Sequence, residues 1–596
     1  MSAPVVIVGG GPVGLTTSLL LSRLGVRNVV LERHPGTSIH PKAVGLNQRT
    51  VEILRSLGLG DAVAAAGAPP RTVSRTGWYT SLGGPTPLHG REIAVRDAWG
   101  GGQYADEYAA ASPAPYTMLP QIRLEPILRA AAQARPEAQL LFDCEVVGIV
   151  PEGDGVDVVV RDALGEHVVR ASYVVGADGG RTVADALGID MSGPRDLVDM
   201  VSAHFSADLT DVLPNHECLI YWFVNPDLGG SIGSGYLYHL GPWDDEGRSA
   251  EWVFACGFGP DDPERFDEQG MRERLGRSLG VDLPEVEIHS ISHWYINAVV
   301  ADRFREGRCF LVGDAAHRIP PWGALGLNTG IQDAHNLAWK LAAALRDESC
   351  EPLLDTYEQE RHAIARSVAD SSLHNFANHG GLIDTAIGLA PGQAAAEGWA
   401  ALATLWSDSP EGLAKQEALG DAVRYMDAEF HAHGAENGFA YPTGALVPDP
   451  EAQLLPDDTL VHRPTTRPGH HVPHAWLRTD RGRVSTVEIG EPGRFLLLVG
   501  AGAEGAWRAA LASLSHPVAA AVDVVAVAPP GTEPGPGVVV EDGTWTRLRE
   551  VSDDGAVLVR PDTMVAWRCT ARPADPAGAL GAALDAVVPV KEGATR

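Results

Sequence analysis

Positive charge is scarce in this chain: 46 Lys and Arg stand against 77 Asp and Glu, a formal net charge of −31. Nucleic acid and anionic membranes need a basic face, so neither is expected as a partner. Cysteine is also scarce. The six thiols, Cys144, Cys218, Cys256, Cys309, Cys350 and Cys569, include no C-x-x-C pair. Neither a redox dithiol nor a zinc site is signalled, and no metal is expected. No apolar run approaches the ~20 residues of a membrane span. No signal peptide is read, because the first strand begins near Pro4 and the fold needs it. The expectation is a soluble cytoplasmic protein, kept apart by like charge. H-E-x-x-H does not occur, so no zincin helix is indicated. The 596 residues are too many for one core and imply two or three domains.

What is present is organised around residues 308–328. The apolar run Cys309-Phe310-Leu311-Val312 stops at Gly313-Asp314, a turn that leaves one carboxylate at a strand's C-terminal edge. Ligands sit at such edges in open α/β sheets. Pro320-Pro321 and the glycines at 323 and 326 hold a loop that is neither helix nor strand. A helix is predicted from about 329 to about 345, with its positive end toward whatever the loop holds.

The N-terminus supplies the second half of the pattern. Val5-Val6-Ile7-Val8 reads as a central parallel strand. Gly9-Gly10-Gly11-Pro12-Val13-Gly14 fits G-x-G-x-x-G, an apolar helix follows, and a second strand ends at Glu32. Gly9 suits a sharp turn, Gly11 a close approach to a pyrophosphate, and Gly14 tight helix–strand packing. Glu32 can accept from both ribose hydroxyls. A lone G-x-G-x-x-G is a weak signal, but strand, glycines, helix, strand and acid all fall within about 30 residues, the span of one dinucleotide-binding unit. Glu32 followed by Arg33 admits a free ribose and disfavours a 2′-phosphate, so FAD or NAD fits better than NADP at this position. Further on, segments 140–150, 156–162 and 168–175 read as a β-meander ending at Gly176-Ala177-Asp178-Gly179.

These three separated pieces together resemble the single-component (group A) flavoprotein monooxygenases typified by p-hydroxybenzoate hydroxylase. The resemblance covers about residues 4–375. His317-Arg318-Ile319-Pro320-Pro321 and the helix text 331–341 look most like the larger branch, with 2,4-dichlorophenol 6-monooxygenase and the hydroxylases of aromatic polyketide pathways. The resemblance implies a Rossmann-like α/β FAD-binding domain interleaved with an α+β substrate domain, plus a C-terminal thioredoxin-like domain. The expected division is 1–75, 115–185 and 286–375 for FAD, 76–114 and 186–285 for substrate, 376–440 as a helical bridge, and 441–596 for the last domain. There Cys569 is the lone cysteine, so packing or dimer contact is expected of that domain, not redox chemistry.

By the same resemblance, Gly9, Gly11, Pro12, Val13, Gly14, Glu32 and Arg33 hold the ADP half of FAD. Gly313 and Asp314 take the ribityl chain, and Gly326, Leu327 and Asn328 face the pyrimidine end of the flavin. Lys42 falls near the pyrophosphate, Gln121 and Arg123 in a second FAD-contacting segment, and Asp178 in a motif tied to both FAD and the pyridine nucleotide. Pro321 and Trp322 are placed as pocket wall above the flavin. NADPH or NADH and O₂ are the implied co-substrates, a flavin C4a-hydroperoxide the implied oxygen donor, and an aromatic small molecule the implied substrate. The protein is expected as a monomer or homodimer. Two departures remove positive charge: Ala184-Asp185 stand where the family has arginine, and Val44 follows Lys42-Ala43 where the larger branch often has arginine.

The segment 190–284 is aromatic, with Tyr221, Trp222, Phe223, Tyr236, Tyr238 and Trp252 among others, and suits a flat hydrophobic substrate. Phenol hydroxylation gains from a base. His216, Tyr221, His239, His293 and His317 are candidates by residue type alone. The favoured reading is hydroxylation of a phenolic or quinonoid polycycle, a polyketide intermediate. Baeyer–Villiger or epoxidising oxygenation on the same scaffold stays open, as does a non-catalytic flavoprotein acting as an interaction module. A flavin halogenase is disfavoured, because His293-Trp294-Tyr295-Ile296 does not match W-x-W-x-I-P.

Overall fold

A computed structural model of the chain describes residues 2–70, 74–258, 267–283, 285–449, 458–535 and 537–591. Parts of the segment 190–284 and of the Pro-rich stretch 442–473 lie outside the described residues, as does the side chain of Phe258.

The first sheet is built from the β-branched runs. Ser2–Val8 lies between Gly165–Gly176 and Asn28–Leu31, with Cys309–Leu311 beyond one and Ala138–Leu141 beyond the other; all four pairings are parallel. The meander strands Glu145–Glu152 and Gly155–Asp162 add antiparallel to Gly165–Gly176. Registers put Leu31, Val8, Gly176 and Leu311 in one row across the sheet. Three motifs separated by up to ~300 residues of chain therefore leave the same C-terminal edge, the place where open α/β sheets hold ligands.

The second sheet has the order Glu287–Tyr295, Asp199–Ser206, Ser249–Phe258, Tyr236–Trp243, Cys218–Phe223, Arg75–Tyr79, Glu92–Asp97. Its alternating side chains separate two apolar faces. On one, Tyr79, Tyr221, Phe223 and Phe254 pack under the helix Glu268–Leu279. On the other, Trp78, Trp222 and Leu219 meet Ile383 and Ile387 of a long helix, Asp355–Ile387. That helix runs unbroken through residue 375. Its N-terminal half, with Tyr357, Ala365 and Ala369, belongs to the core of the first sheet.

The third sheet runs Gly482–Ser485, Trp476–Thr479, Val538–Glu541, Val522–Ala528, Phe495–Gly500, Ala556–Val559, Val565–Cys569. Helices Glu504–Ala512 and Pro576–Val587 cover one of its faces through Trp507, Ala510, Leu580 and Leu584. No helix among the described residues is long and apolar enough to cross a membrane. No His, Cys, Asp and Glu cluster there suits a metal ion.

Candidate active site

The row Leu31–Val8–Gly176–Leu311 continues upward into the site. Gly9 N–H donates to Leu31 O at 2.8 Å, Ala177 N–H to Val8 O at 2.8 Å, and Val312 N–H to Gly176 O at 2.9 Å. Gly9 has φ +108°, and a Cβ there would lie 2.3 Å from Ala177 O; a Cβ on Gly14 would lie 2.0 Å from Gly9 O. The turn therefore closes only with glycine at both positions. Gly11 is different: a Cβ would meet nothing, so its backbone borders open space. The helix Pro12–Arg23 starts there, without a side-chain cap. Its first N–H groups are left for a ligand, the usual arrangement for a pyrophosphate.

Glu32 accepts from Gly10 N–H at 2.7 Å and from His34 N–H at 2.9 Å. A carboxylate has about four acceptor sites, so lone pairs remain for a ribose. Arg33 and Lys42 are exposed, and the Lys42 ammonium forms no ion pair among the described residues. Asp178 turns its carboxylate onto its own loop, accepting from the N–H groups of Gly180, Thr182 and Val183. Its contribution to a dinucleotide would run through that loop.

The flavin loop is held from behind. Asp333 Oδ2 accepts from Gly313 N–H at 3.1 Å and lies 2.7 Å from His317 Nε2. Asp333 Oδ1 accepts from Arg361 Nε at 2.7 Å. Burial works against its charge, but Arg361 and His317 hold the carboxyl below its usual range. Asp314, next to this cluster, is exposed, and its carboxylate has no partner among the described residues. That is the chemistry a polyhydroxyl chain requires. The helix after the loop runs Gly326–Arg346, beginning three residues earlier than expected, again without a side-chain cap. The N–H groups of Gly326, Leu327 and Asn328 are thus its first turn, free for acceptors on a ligand. The Asn328 side chain is committed: it donates to Gly45 O at 2.9 Å and Ala324 O at 2.6 Å and accepts from Asn47 N–H at 3.0 Å. It pins Ala324, a non-glycine residue at φ +55°.

These features meet what FAD needs: open backbone at Gly11, two uncapped helix starts, and a free carboxylate at Asp314. Gln121 and Arg123 play narrower parts. Gln121 N–H donates to Ala43 O at 2.8 Å, and its side chain donates to Glu125 at 2.6 Å. Arg123 pairs with Glu251 of the second sheet at 2.7 Å, so it ties the two sheets together.

The substrate side is aromatic. Trp322 is buried against Phe376, ring centroids 4.7 Å apart, and its indole N–H has no partner among the described residues. Trp222 lies 4.7 Å from Tyr236 and 4.0 Å from His379. Pro321 is exposed beside Trp322. Val44 packs with Tyr238 and Ile122, so the position expected to face phosphate faces an apolar wall instead. Ala184 is buried in the first core and Asp185 is exposed.

The structure places the catalytic candidates as follows. His317 is fully buried behind the loop, with Nε2 2.7 Å from Asp333, the carboxylate that also accepts from Gly313 N–H. Tyr221 is on the helix-covered face of the second sheet, where its hydroxyl donates to Asn215 O at 2.8 Å. His216 is exposed on the connection before Cys218–Phe223. Among the other histidines named by type, His239 is buried against Trp252 and pushed down to about 3 by burial, and His293 is near Asp199. A histidine that the sequence reading did not single out, His379, also lies against the aromatics of the substrate side, carried by its helix from the first core to the second sheet. Only the tertiary path of that helix marks it out. A groove of about 390 Å³ between Glu92–Asp97 and Pro410–Tyr425 contains none of the fingerprint residues.

Comparison with known proteins agrees with this geometry. Residues 2–372 match an FAD binding domain family, and residues 465–588 match the C-terminal domain of aromatic-ring hydroxylases. The chain is 35% identical over 596 residues to 2,4-dichlorophenol 6-monooxygenase of Cupriavidus pinatubonensis, covering 97% of this chain and 95% of the relative. It is 34% identical over 601 residues to tetracenomycin A2 monooxygenase-dioxygenase of Streptomyces glaucescens, covering 98% and 96%. A crystal structure of the flavin-dependent monooxygenase PieE with FAD and substrate superposes with a TM-score of 0.89 at 36% identity, covering 99% of both chains. Aklavinone-11 hydroxylase with FAD and aklavinone gives 0.77 at 29% identity, covering 98% of this chain and 99% of the other. On this evidence the chain belongs to the FAD-dependent aromatic-ring hydroxylase family of monooxygenases.

Proposed function

We propose that the protein hydroxylates a phenolic or quinonoid polycyclic aromatic, consuming NAD(P)H and O₂. FAD held in the site would supply the redox chemistry by which NAD(P)H and O₂ are consumed, one atom of O₂ going to the substrate and the other to water. The chain's own groups do the rest. Gly11 and the Pro12–Arg23 helix start receive the pyrophosphate, Glu32 the ribose, Asp314 the ribityl chain, and the first turn at Gly326–Asn328 the flavin's pyrimidine edge. That turn also favours negative charge on the ring system. Trp322, Phe376, Trp222 and Tyr236 exclude water and stack a flat substrate, which suppresses wasteful release of H₂O₂.

The observation that carries this reading is the convergence of unlinked rings from the flavin loop, the second sheet and the long helix, with Trp322 Nε1 buried and without a partner among the described residues. A site of mostly apolar walls with few polar groups suits a polycycle better than a small phenol. We place the protein in the cytoplasm, where NAD(P)H is supplied, as a monomer or homodimer. The test is NADPH and NADH oxidation by the purified holoprotein against a panel of polycyclic phenols and quinones, with products read by mass spectrometry. Substrate-stimulated oxidation and a gain of one oxygen are expected. No flavin reduction by either nucleotide, with or without ligand, overturns the reading.

A further inference from the structure

We infer that His379, oriented by Glu429, is the base that takes the substrate's phenolic proton; the inference rests on the hydroxylase reading above. His379 is on the long helix with 6% of its surface exposed. Its ring is 4.0 Å from Trp222 and 6.1 Å from Trp78 of the second sheet, and 6.2 Å from Trp322 of the flavin loop. Among the described residues it is the histidine whose ring contacts aromatics of both. A group that deprotonates a substrate held between those walls belongs at this junction.

The ring's two nitrogens have different tasks. Nδ1 is 2.8 Å from Glu429 Oε2, and Glu429 is itself buried at 5% exposure. A buried carboxylate fixes the Nδ1–H tautomer and leaves Nε2 as the acceptor. Nε2 has no hydrogen-bond partner among the described residues. Burial pushes the Glu429 carboxyl up, and His379 is the group that pulls it back. The carboxylate's charge is therefore best matched once His379 carries a proton, which is the state that proton transfer creates. The other acidic group facing His379 is Asp384, one turn along the same helix and already bonded to Ser231. The Tyr236 ring lies 4.7 Å from that of Trp222.

The step is balanced within the site. The phenol O–H bond breaks, an Nε2–H bond forms, and the pair left on oxygen enriches the ring carbons that receive the oxygen atom. The resulting imidazolium lies between the Glu429 carboxylate and the new phenolate, so the transfer leaves the charge of the site unchanged and gives both anions a cation to face.

The test uses the holoprotein with oxidised FAD and two probes whose colour reports ionisation, 1,8-dihydroxyanthraquinone and 2-naphthol. Difference spectra are recorded across pH for wild type, H379Q and E429Q, with flavin absorbance as the check on folding. Wild type is expected to show the phenolate band at least one pH unit below the free probe's transition. H379Q should bind the probe with this shift abolished, and E429Q with the shift reduced. Turnover should fall about 10²–10³-fold in H379Q, the usual scale for a lost general base, with KM changed under threefold. An unchanged phenolate band in H379Q, or a bound probe that stays neutral in wild type, overturns the role of His379 while leaving the hydroxylase reading intact. Failure of wild type to bind any phenol overturns the substrate class, and this proposal with it.

Discussion

Glu360 of the long helix and Arg560 of the C-terminal sheet form a two-point ion pair, Nη1 to Oε1 at 2.7 Å and Nη2 to Oε2 at 2.9 Å, with both side chains buried. Lys340 adds a third contact to Glu360 at 2.7 Å. Burial opposes the charge, but Arg560 and Lys340 hold the Glu360 carboxyl down to about 2. The next residue, Arg361, donates to Asp333 and to Thr329 O, at the start of the flavin-loop helix. The C-terminal domain is therefore connected to the cofactor loop through two adjacent side chains.

Removing one member of such a pair strands the other. R560M is expected to cost about 3–5 kcal/mol in urea unfolding, the scale for a broken buried pair. It should also weaken FAD retention, read as the flavin-to-protein absorbance ratio after gel filtration. The double variant E360L/R560M should be no more stable than R560M, because it leaves the buried Lys340 without Glu360 and the buried Asp562 without Arg560. A single variant with wild-type stability and full flavin would show that the pair does not hold the loop.

Asp333 serves three donors at once: Gly313 N–H, His317 and Arg361. D333N keeps the shape but loses the charge that Arg361 needs. An uncompensated buried charge costs several kcal/mol. The expected result is at least a tenfold rise in the FAD dissociation constant, measured by flavin fluorescence on titrating apoprotein, together with a lowered melting temperature. An FAD affinity unchanged within twofold would refute the idea that this cluster sets the loop.

The cofactor half of this site was legible because its constraints are local. Gly9, Gly14 and Glu32 sit within one strand–helix–strand unit, and each has a task that backbone geometry imposes. Gly313-Asp314 was legible because a buried apolar run must end somewhere. The substrate half was not. Tyr221 and Trp222 are neighbours in sequence, yet they fall on opposite faces of the sheet, and only the register says which faces the flavin loop. His317 read as a catalytic candidate because it stands next to the fingerprint, but its burial with Asp333 and Arg361 comes from helices that return later in the chain. His379 and Glu429 are 50 residues apart and carry no motif. Arg560 and Glu360, 200 residues apart, were likewise invisible until two domains met.

Gly330 offers a steric test of loop placement. A Cβ there would sit 2.8 Å from Gly313 Cα and 2.8 Å from Val13 Cγ2. It would wedge the flavin-loop helix away from both the Gly-Asp turn and the first glycine loop. Helix propensity favours alanine over glycine by about 1 kcal/mol, so propensity alone predicts a gain in stability. Packing predicts the reverse. G330A should be purified pale, with reduced flavin content and unchanged helix content by circular dichroism. A fully yellow, more stable G330A would mean that the helix and loop move apart freely.

The last prediction concerns acid. His335, His470 and His474 are each pushed down to about 4, and His433 and His462 to about 3, by burial first of all. Unfolded, each titrates near 6.5, so below that pH the unfolded chain binds protons that the native one refuses. Stability must then fall as pH drops from about 6.5 toward 4. Glu436 acts in the opposite sense: burial lifts its carboxyl to about 8, against the pull of Tyr108, so its contribution is lost as pH rises from about 4.5 to 8. Burial lifts other carboxyls too, Glu429 among them, but His239 joins the depressed histidines and the depressed carboxyls of Glu360 and Asp333 add to the same side, so the acid side is the steeper. Urea midpoints measured between pH 8 and 5 should rise slightly from 8 toward 6.5 as Glu436 takes up its proton, then decline below about 6.5, and H433Q/H462Q should flatten that decline. A midpoint that holds or rises between pH 6.5 and 5 would mean that these histidines gain protons without unfolding, and that water or acid partners reach them in the native state.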